Sequence, residues 1–361
     1  MNNALLAPAH VDELKAIVVS EKSVLPVGNR TKAPLSAGSD GTLISLCSLC
    51  GIVEYEPSEF TFTARAGTPV AEIRTALAEK CQYLPFDPLL VETGATIGGT
   101  VAAGLSGPGR FRYGGIRDFV LGVRFVSGDG QLIRAGGKVV KNAAGFDIPK
   151  FLVGSMGRLG VMTELTFKVF PKPQATITLQ VLCDSHGQAL ERMATAASSR
   201  WELDAIDYRP DAHAIFLRLA GPQRACAAIA GEIRTTWGED VSEPPEPSAF
   251  WQSVGELKWS ANGTTAVKVP TTPQQFIALQ DSLAGHAQIT VHGSVAGNVA
   301  WILLDTSASL SALDTQLQSM EIPGLVVRGS GDQRAVGTWK SPAIQQAVQT
   351  AMDPAGKFST L

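Results

Sequence analysis

Thr93-Gly94-Ala95-Thr96-Ile97-Gly98-Gly99-Thr100, followed by Ala102-Ala103-Gly104, is the stretch on which the reading of this chain turns. Its small residues let backbone approach a flat, multi-atom ligand, and its threonines add hydroxyl donors. It is not a Walker A loop, because no Gly-Lys-Ser/Thr follows, and it is not a Gly-x-Gly-x-x-Gly after a strand. Taken alone, the same residues also fit an ordinary glycine-rich loop. Their surroundings sharpen the reading: 17 of the chain's 36 glycines fall between Gly94 and Gly160. That is where the backbone needs unusual freedom.

A second segment, Pro26-Val27-Gly28-Asn29-Arg30-Thr31-Lys32, closes a short apolar strand predicted over 23–27. Gly28 permits close approach to an anion, and successive amides can form an anion-binding nest. Thr31 and Lys32 add a hydroxyl and a positive charge. A plain strand-ending turn fits these residues too.

The 361 residues exceed the roughly 250–300 at which single cores stop growing, so at least two lobes are expected. Charged residues are 17% and hydrophobic ones 45%, which excludes a disordered chain. A formal charge of −3, without a basic block, argues against nucleic acid or an anionic membrane as partner. No signal-peptide pattern and no apolar run of membrane-spanning length is read, so no integral membrane segment is expected. Five cysteines, an odd number, point to free thiols in a reducing cytoplasm. Cys47-Ser48-Leu49-Cys50 is a CxxC without a second pair for zinc or a thioredoxin-like helix after it, and it reads as buried or incidental cysteines. The histidines form no metal-binding pair, so neither a metal nor an iron–sulfur cluster is expected within this chain.

Helical spacing of Val11, Leu14, Ile17 and Val18, then strands near 42–46, 51–55 and 61–66, and a helix over 70–81 predict a small α+β unit. Strand-like 120–127 turns at Gly128-Asp129-Gly130 into a hairpin, and 159–170 reads as a long strand. Pro171-Lys172-Pro173 breaks the pattern. Beyond it, strands and helices alternate in a rhythm closer to a ferredoxin-like domain than to a doubly wound sheet, with no internal repeat of 20–50 residues visible.

The order of motifs resembles the FAD-binding family of the vanillyl-alcohol oxidase and p-cresol methylhydroxylase type, and within it the flavin subunits of bacterial glycolate oxidase (glycolate dehydrogenase). The pieces are Pro26–Lys32, Gly51–Pro57, Ala64–Pro69, Leu84–Pro88, Gly94–Ser106, Arg117–Arg124, Val139–Asp147, Gly154–Val161 and Met352–Phe358. The resemblance implies an α+β, two-subdomain FAD-binding fold of the p-cresol methylhydroxylase type with a smaller ferredoxin-like α+β cap. The expected division is 1–173 for the FAD-binding domain, 174–330 for a cap or substrate domain, and 331–361 for a C-terminal segment returning to the first.

By the same resemblance Pro26, Gly28, Asn29, Arg30, Thr31 and Lys32 would wrap the pyrophosphate. Gly94, Ala95, Thr96, Gly98 and Gly99 would line the ribityl and diphosphate from the other side. Lys141 and Asn142 would sit near the flavin, and Gly160-Val161 would offer backbone to the ring edge. Without the resemblance, Lys141-Asn142 reads as a solvated loop pair. Residues 26–32 hold no histidine or cysteine, so the FAD is expected to be non-covalent. Phe146 stands where tyrosine is usual.

The resemblance also implies a small 2-hydroxy acid substrate, a homologous FAD subunit and an iron–sulfur subunit, and a cytoplasmic location with peripheral attachment to the inner membrane through those partners. Oxidising a 2-hydroxy acid requires a cation for the carboxylate, a base for the hydroxyl proton, and a nearby hydride acceptor. Arg209, His213, Lys258, His292, Arg328 and Lys340 are candidates in or after the second domain, though no spacing defines a site. His213, Arg328 and Lys340 are taken forward; a lone histidine in an alternating strand also reads as structural. Three functions stay open: a catalytic FAD subunit, a non-catalytic electron-transfer or scaffold flavoprotein, and a stand-alone oxidase of another alcohol or sugar.

Overall fold

The apolar segment ending at Val27 supplies the inner edge of a small sheet. In the computed structural model, which describes residues 5–36, 41–137, 146–260, 263–305, 310–340 and 342–359, Val24–Val27 pairs in parallel with Thr42–Ser45. Thr42–Ser45 pairs in parallel with Leu5–Leu6. A five-stranded antiparallel sheet follows, in the order Ile52–Glu56, Thr61–Arg65, Val161–Lys168, Val120–Val126, Leu132–Gly136. Its long strand alternates as period-2 patterning requires, with Leu165 and Phe167 buried and Glu164 and Thr166 partly exposed. Phe167 stacks on Phe62 at 5.5 Å. Burial of one such ring stabilises by roughly 1.5–3 kcal/mol.

Contacts group residues 1–106, 115–172 and 340–361 as one unit, and residues 107–114 with 173–339 as another. The excursion 107–114, expected in the first domain, therefore belongs with the second, and the chain returns at Lys340. The return is anchored by backbone: the Val24 amide donates to the Lys357 carbonyl at 2.8 Å, and Val24 bridges Phe358 in parallel.

The glycine-rich stretch, read as a loop, contains a helix over Ile97–Ala103. Thr96 caps it, accepting from the Gly99 amide at 3.2 Å, and Gly104 ends it in the left-handed conformation. Glycine is a poor helix former, but Gly98 has no alternative. A β-carbon there would stand 2.7 Å from the Ala66 β-carbon.

The second unit is a nine-stranded antiparallel sheet, and its connectivity shows a doubling that the sequence hides. Ala175–Leu182, helix His186–Ser198, Ala205–Arg209, Ala214–Gly221, helix Gln223–Trp237 and Val241–Ser242 form one βαββαβ unit. Gly263–Pro270, helix Pro273–Leu283, Ile289–Ser294, Val299–Asp305, helix Leu310–Ser319 and Pro323–Arg328 form another. Each half has its first strand between its third and fourth, the ferredoxin-like order. The halves join through their second strands, Tyr208 opposite Gly293. The second unit is thus two fused ferredoxin-like halves, with Ala335–Gly337 added at one edge.

Helices cover one face, where Leu179, Leu217, Val267 and Ile302 enter the apolar core with Met193, Ile233 and Leu313. At the seam the opposite face carries Asp207, fully buried, accepting from His292 Nε2 at 2.7 Å, Ser294 Oγ at 2.8 Å and the Val295 amide at 3.4 Å. Asp207→Ala would leave three buried donors without an acceptor. The expected loss is about 3–5 kcal/mol, measured by urea unfolding; a loss under about 1 kcal/mol would show that the seam does not depend on this carboxylate.

Candidate functional site

Two loops far apart in sequence meet in the first unit. Pro26, Gly28, Asn29, Arg30, Thr31 and Lys32 line an open groove with Thr96, Gly99, Ala102, Ala103 and Met156. Strand Val24–Val27 delivers the first loop at its carboxyl end, and the start of helix Ile97–Ala103 delivers the second.

The approach is as close as backbone allows. A β-carbon on Gly28 would fall 2.2 Å from Thr96 Oγ1, and one on Gly94 would fall 2.6 Å from Asn29 Nδ2. Asn29 Nδ2 also donates to the Gly94 carbonyl at 3.2 Å, tying the loops together. Gly94 needs its φ of +95°, a conformation natural only to glycine. Among the described residues, the amides of residues 28–31 donate to no acceptor. Lys32 is buried and donates to the Thr31 hydroxyl at 3.2 Å, while Arg30 is exposed with φ +53°.

Unpaired amides, a buried ammonium and an exposed guanidinium around one groove form an anion cradle of the kind a dinucleotide's pyrophosphate requires. The residues present fit that group.

Other expected site residues also hold the loops in place. The Ala95 carbonyl accepts from the Val70 amide at 2.8 Å, and the Gly98 amide donates to the Ala66 carbonyl at 2.8 Å. Ala95 and Gly98 thus fix the second loop to the Ala66–Val70 connection behind it. Gly160 has φ +145°, and a β-carbon there would meet Phe125 Cδ2 at 2.6 Å. Val161 is fully buried at the start of its strand, opposite Val126. Lys141 and Asn142 lie outside the described residues.

Sequence reasoning missed Met156 as part of the groove wall. Its amide donates to the Ala102 carbonyl at 2.9 Å, and a β-carbon on the next residue, Gly157, would stand 2.8 Å from Pro26 Cγ. The glycines that flank it, Gly154 and Gly157, were the available signal.

Of the three catalytic candidates, Arg328 and His213 stand in the second unit and Lys340 in the first. Arg328 donates to the carbonyls of Leu257 at 2.9 Å, Glu256 at 3.4 Å and Thr264 at 3.4 Å, so its guanidinium fastens the segment before Gly263–Pro270. His213 is exposed in the hairpin after Ala205–Arg209, in the left-handed region, and stacks on His186 at 5.0 Å. In the nine-stranded sheet three strands stand between the one that carries Arg328 and the one that ends beside His213. Lys340 is exposed where the chain re-enters the first unit.

A cation outside those candidates stands out. Lys268 lies on the sheet face that carries Asp207, opposite Trp301 and Leu325. Burial pushes its ammonium down to about 8, and nearby Arg110 adds to the effect.

Two outcomes follow. Gly28→Ala should lower flavin nucleotide affinity by about tenfold or more, because a shift of the Thr96 hydroxyl would open the cradle; fluorescence titration measures it, and unchanged affinity would remove Gly28 from the site. For Lys268 the folded-state value lies below the unfolded one, so its cost to stability is full below pH 8 and fades as pH rises toward 10.5. Lys268→Met should therefore stabilise at pH 7 by on the order of 1–2 kcal/mol, with the gain shrinking above pH 8. A gain independent of pH in chemical unfolding would reject that account.

Comparison with known proteins agrees with this geometry. Residues 3–136 match a family described as FAD binding domain. Glycolate oxidase subunit GlcE of Escherichia coli (strain K12) is 37% identical over 242 residues, covering 66% of this chain and 65% of that protein. Glycolate oxidase subunit GlcD of Bacillus subtilis (strain 168) is 31% identical over 206 residues, 55% of this chain and 44% of that protein. A D-2-hydroxyglutarate dehydrogenase of Xanthomonas citri pv. viticola is 28% identical, covering 72% of this chain and 56% of that protein. The chain thus spans less than two thirds of the length of each of these relatives. In fold, two structures of alkyldihydroxyacetonephosphate synthase superpose on 98% of the chain with TM-scores of 0.68 and 0.71. They are 15% and 16% identical and are covered over 75% and 74% of their lengths, a likeness of fold alone. Residues 3–136, which hold both cradle loops, thus match an FAD binding domain, and the match indicates FAD as the cofactor.

Proposed function

We propose that this chain is an FAD-binding subunit of an assembly that oxidises glycolate or a related 2-hydroxy acid. The observation that carries the reading is the meeting of Pro26–Lys32 with Thr96–Gly99 around one groove, in a chain similar over 66% of its length to a glycolate oxidase subunit. When bound, the flavin supplies a two-electron hydride acceptor. The amides of residues 28–31, with Lys32 and Arg30, balance the pyrophosphate charge, and Gly28 and Gly94 keep the two loops in register. Lys141, Asn142 and Gly160-Val161 are assigned to the flavin side, and Arg328, Lys340 and His213 to substrate handling. A homologous FAD subunit and an iron–sulfur subunit complete the proposed assembly. Their attachment at the inner membrane from the cytoplasm is part of the proposal; among the described residues no helix is long and apolar enough to cross a membrane.

One observation favours a second reading, in which the chain is an electron-transfer or scaffold subunit and the chemistry lies in its homologous partner. Arg328 spends its donors on three backbone carbonyls. A guanidinium so engaged is a weak anchor for a substrate carboxylate.

Purification alone and with its partner subunits separates the two. The yellow protein is mixed with glycolate or D-lactate without oxygen, and the visible flavin absorbance is followed. Bleaching of the isolated chain supports the catalytic reading, and bleaching only with the partner supports the second. A colourless protein that takes up no FAD would overturn both.

A further inference from the structure

Cys47 and Cys50 form the one motif that the FAD reading leaves unused. Both thiols are exposed and free. The leucines around them are not: Leu46 and Leu49 are buried. The apolar side chains pin the segment and leave the sulfurs outside. Within it the Leu49 amide donates to the Leu46 carbonyl at 2.9 Å, closing a four-residue turn. The turn draws Leu46 and Leu49 together, with Cys47 inside it and Cys50 the first residue past it, so the two cysteines flank one chain reversal; a disulfide between them requires Cα atoms about 4.4–6.8 Å apart. Among the described residues no group of three or more histidine, cysteine, aspartate or glutamate side chains is suited to a metal ion, so the pair has dithiol chemistry available rather than a zinc site.

The turn is also wired to the cradle. The Leu46 amide donates to the Val27 carbonyl at 2.9 Å, immediately before Gly28. The Leu49 carbonyl accepts from the Gly67 amide at 2.9 Å, and the adjacent Ala66 carbonyl holds the Gly98 amide at 2.8 Å. A β-carbon on Gly67 would stand 1.9 Å from the Leu46 carbonyl oxygen, so no slack separates the turn from that connection. One turn therefore touches the supports of both FAD loops.

We propose that Cys47 and Cys50 form a reversible disulfide, and that the bond stiffens the turn and holds the FAD loops more firmly. The oxidant is a low-molecular-weight disulfide. One thiolate attacks it, forming a mixed disulfide and releasing one small thiolate. The second cysteine thiolate then attacks the mixed disulfide and releases the other. Two protein thiols are oxidised to one disulfide, the small disulfide is reduced to two thiols, and the two cysteine protons pass to the departing thiolates.

This inference rests on the FAD site and not on any substrate. The test uses the full chain loaded with FAD, treated with oxidised glutathione, then alkylated and mapped by mass spectrometry. The expected product lacks two alkylation sites, has an internally bridged Cys47–Cys50 peptide, and releases FAD about threefold more slowly or less, restored by dithiothreitol. Release is read from the recovery of free FAD fluorescence. Cys47→Ser and Cys50→Ser should each abolish the bridge and the response, whereas Cys81→Ser, at a third exposed thiol, should keep both. Two thiols still open to alkylation would overturn the proposal, as would a bridged protein whose FAD release is unchanged or faster. Substrate bleaching plays no part in this readout, so failure of the functional reading would leave its result intact.

Discussion

The near-contact between Gly28 and Thr96 is the constraint on which the first unit depends. With only 2.2 Å between a would-be β-carbon and the threonine hydroxyl, neither loop can retreat without opening the groove. The strand pairing of Val24–Val27 sets one side and the capped helix at Thr96 sets the other. Behind them, Ala66 accepts from Gly98, and the Val24 amide reaches the returning C-terminal segment at Lys357. The cradle is held by backbone hydrogen bonds from four separated parts of the chain. Side chains do the smaller share: Asn29 bridges, and Lys32 supplies buried charge.

The second unit obeys a different logic. Two ferredoxin-like halves each bury one face of their strands under helices, and the seam between them requires something on the other face. Asp207 meets that need with three donors. The segment that follows the first half also packs on this face: Phe250 stacks on Phe216 at 3.9 Å, and Trp259 approaches His292 at 4.9 Å. A histidine expected to be either structural or catalytic is thus built into the architecture through one ring nitrogen: Nε2 pairs with Asp207 and the ring is walled by aromatics, while the buried Nδ1 has no hydrogen-bond partner among the described residues.

Legibility followed the range of the interaction. Strand and helix periodicity, set by neighbours two to four residues apart, located Thr61–Arg65, Val120–Val126 and Val161–Lys168 within a residue or two. The loop Pro26–Lys32 was legible as a candidate anion nest from its local residue types, though a plain strand-ending turn fitted them too. Helix Ile97–Ala103 was not, because its glycines argue against a helix until the crowding at Ala66 is known. The doubling of the second unit escaped notice because connectivity repeats there while residues do not; covering each half needs only apolar alternation, which many sequences satisfy. Arg328 is a candidate substrate anchor on residue type and neighbouring glycines alone, and its three carbonyl partners are legible only in the folded chain.

By itself the sequence determined that the chain is folded, has more than one lobe, concentrates its glycines in one region and offers two loops of residue types suited to an anion; that the anion belongs to FAD came from the resemblance of the motif order to a known family. The former follow from composition and from residue types whose backbone freedom or charge acts locally. The tertiary structure alone decided which glycines face the groove and which serve to pack one loop on another. It also decided that Met156 joins the wall, that Asp207 closes the seam, and that the Cys47–Cys50 turn underlies both loops. Each of these depends on a contact between residues tens of positions apart, and such a contact exists only once the chain has closed on itself.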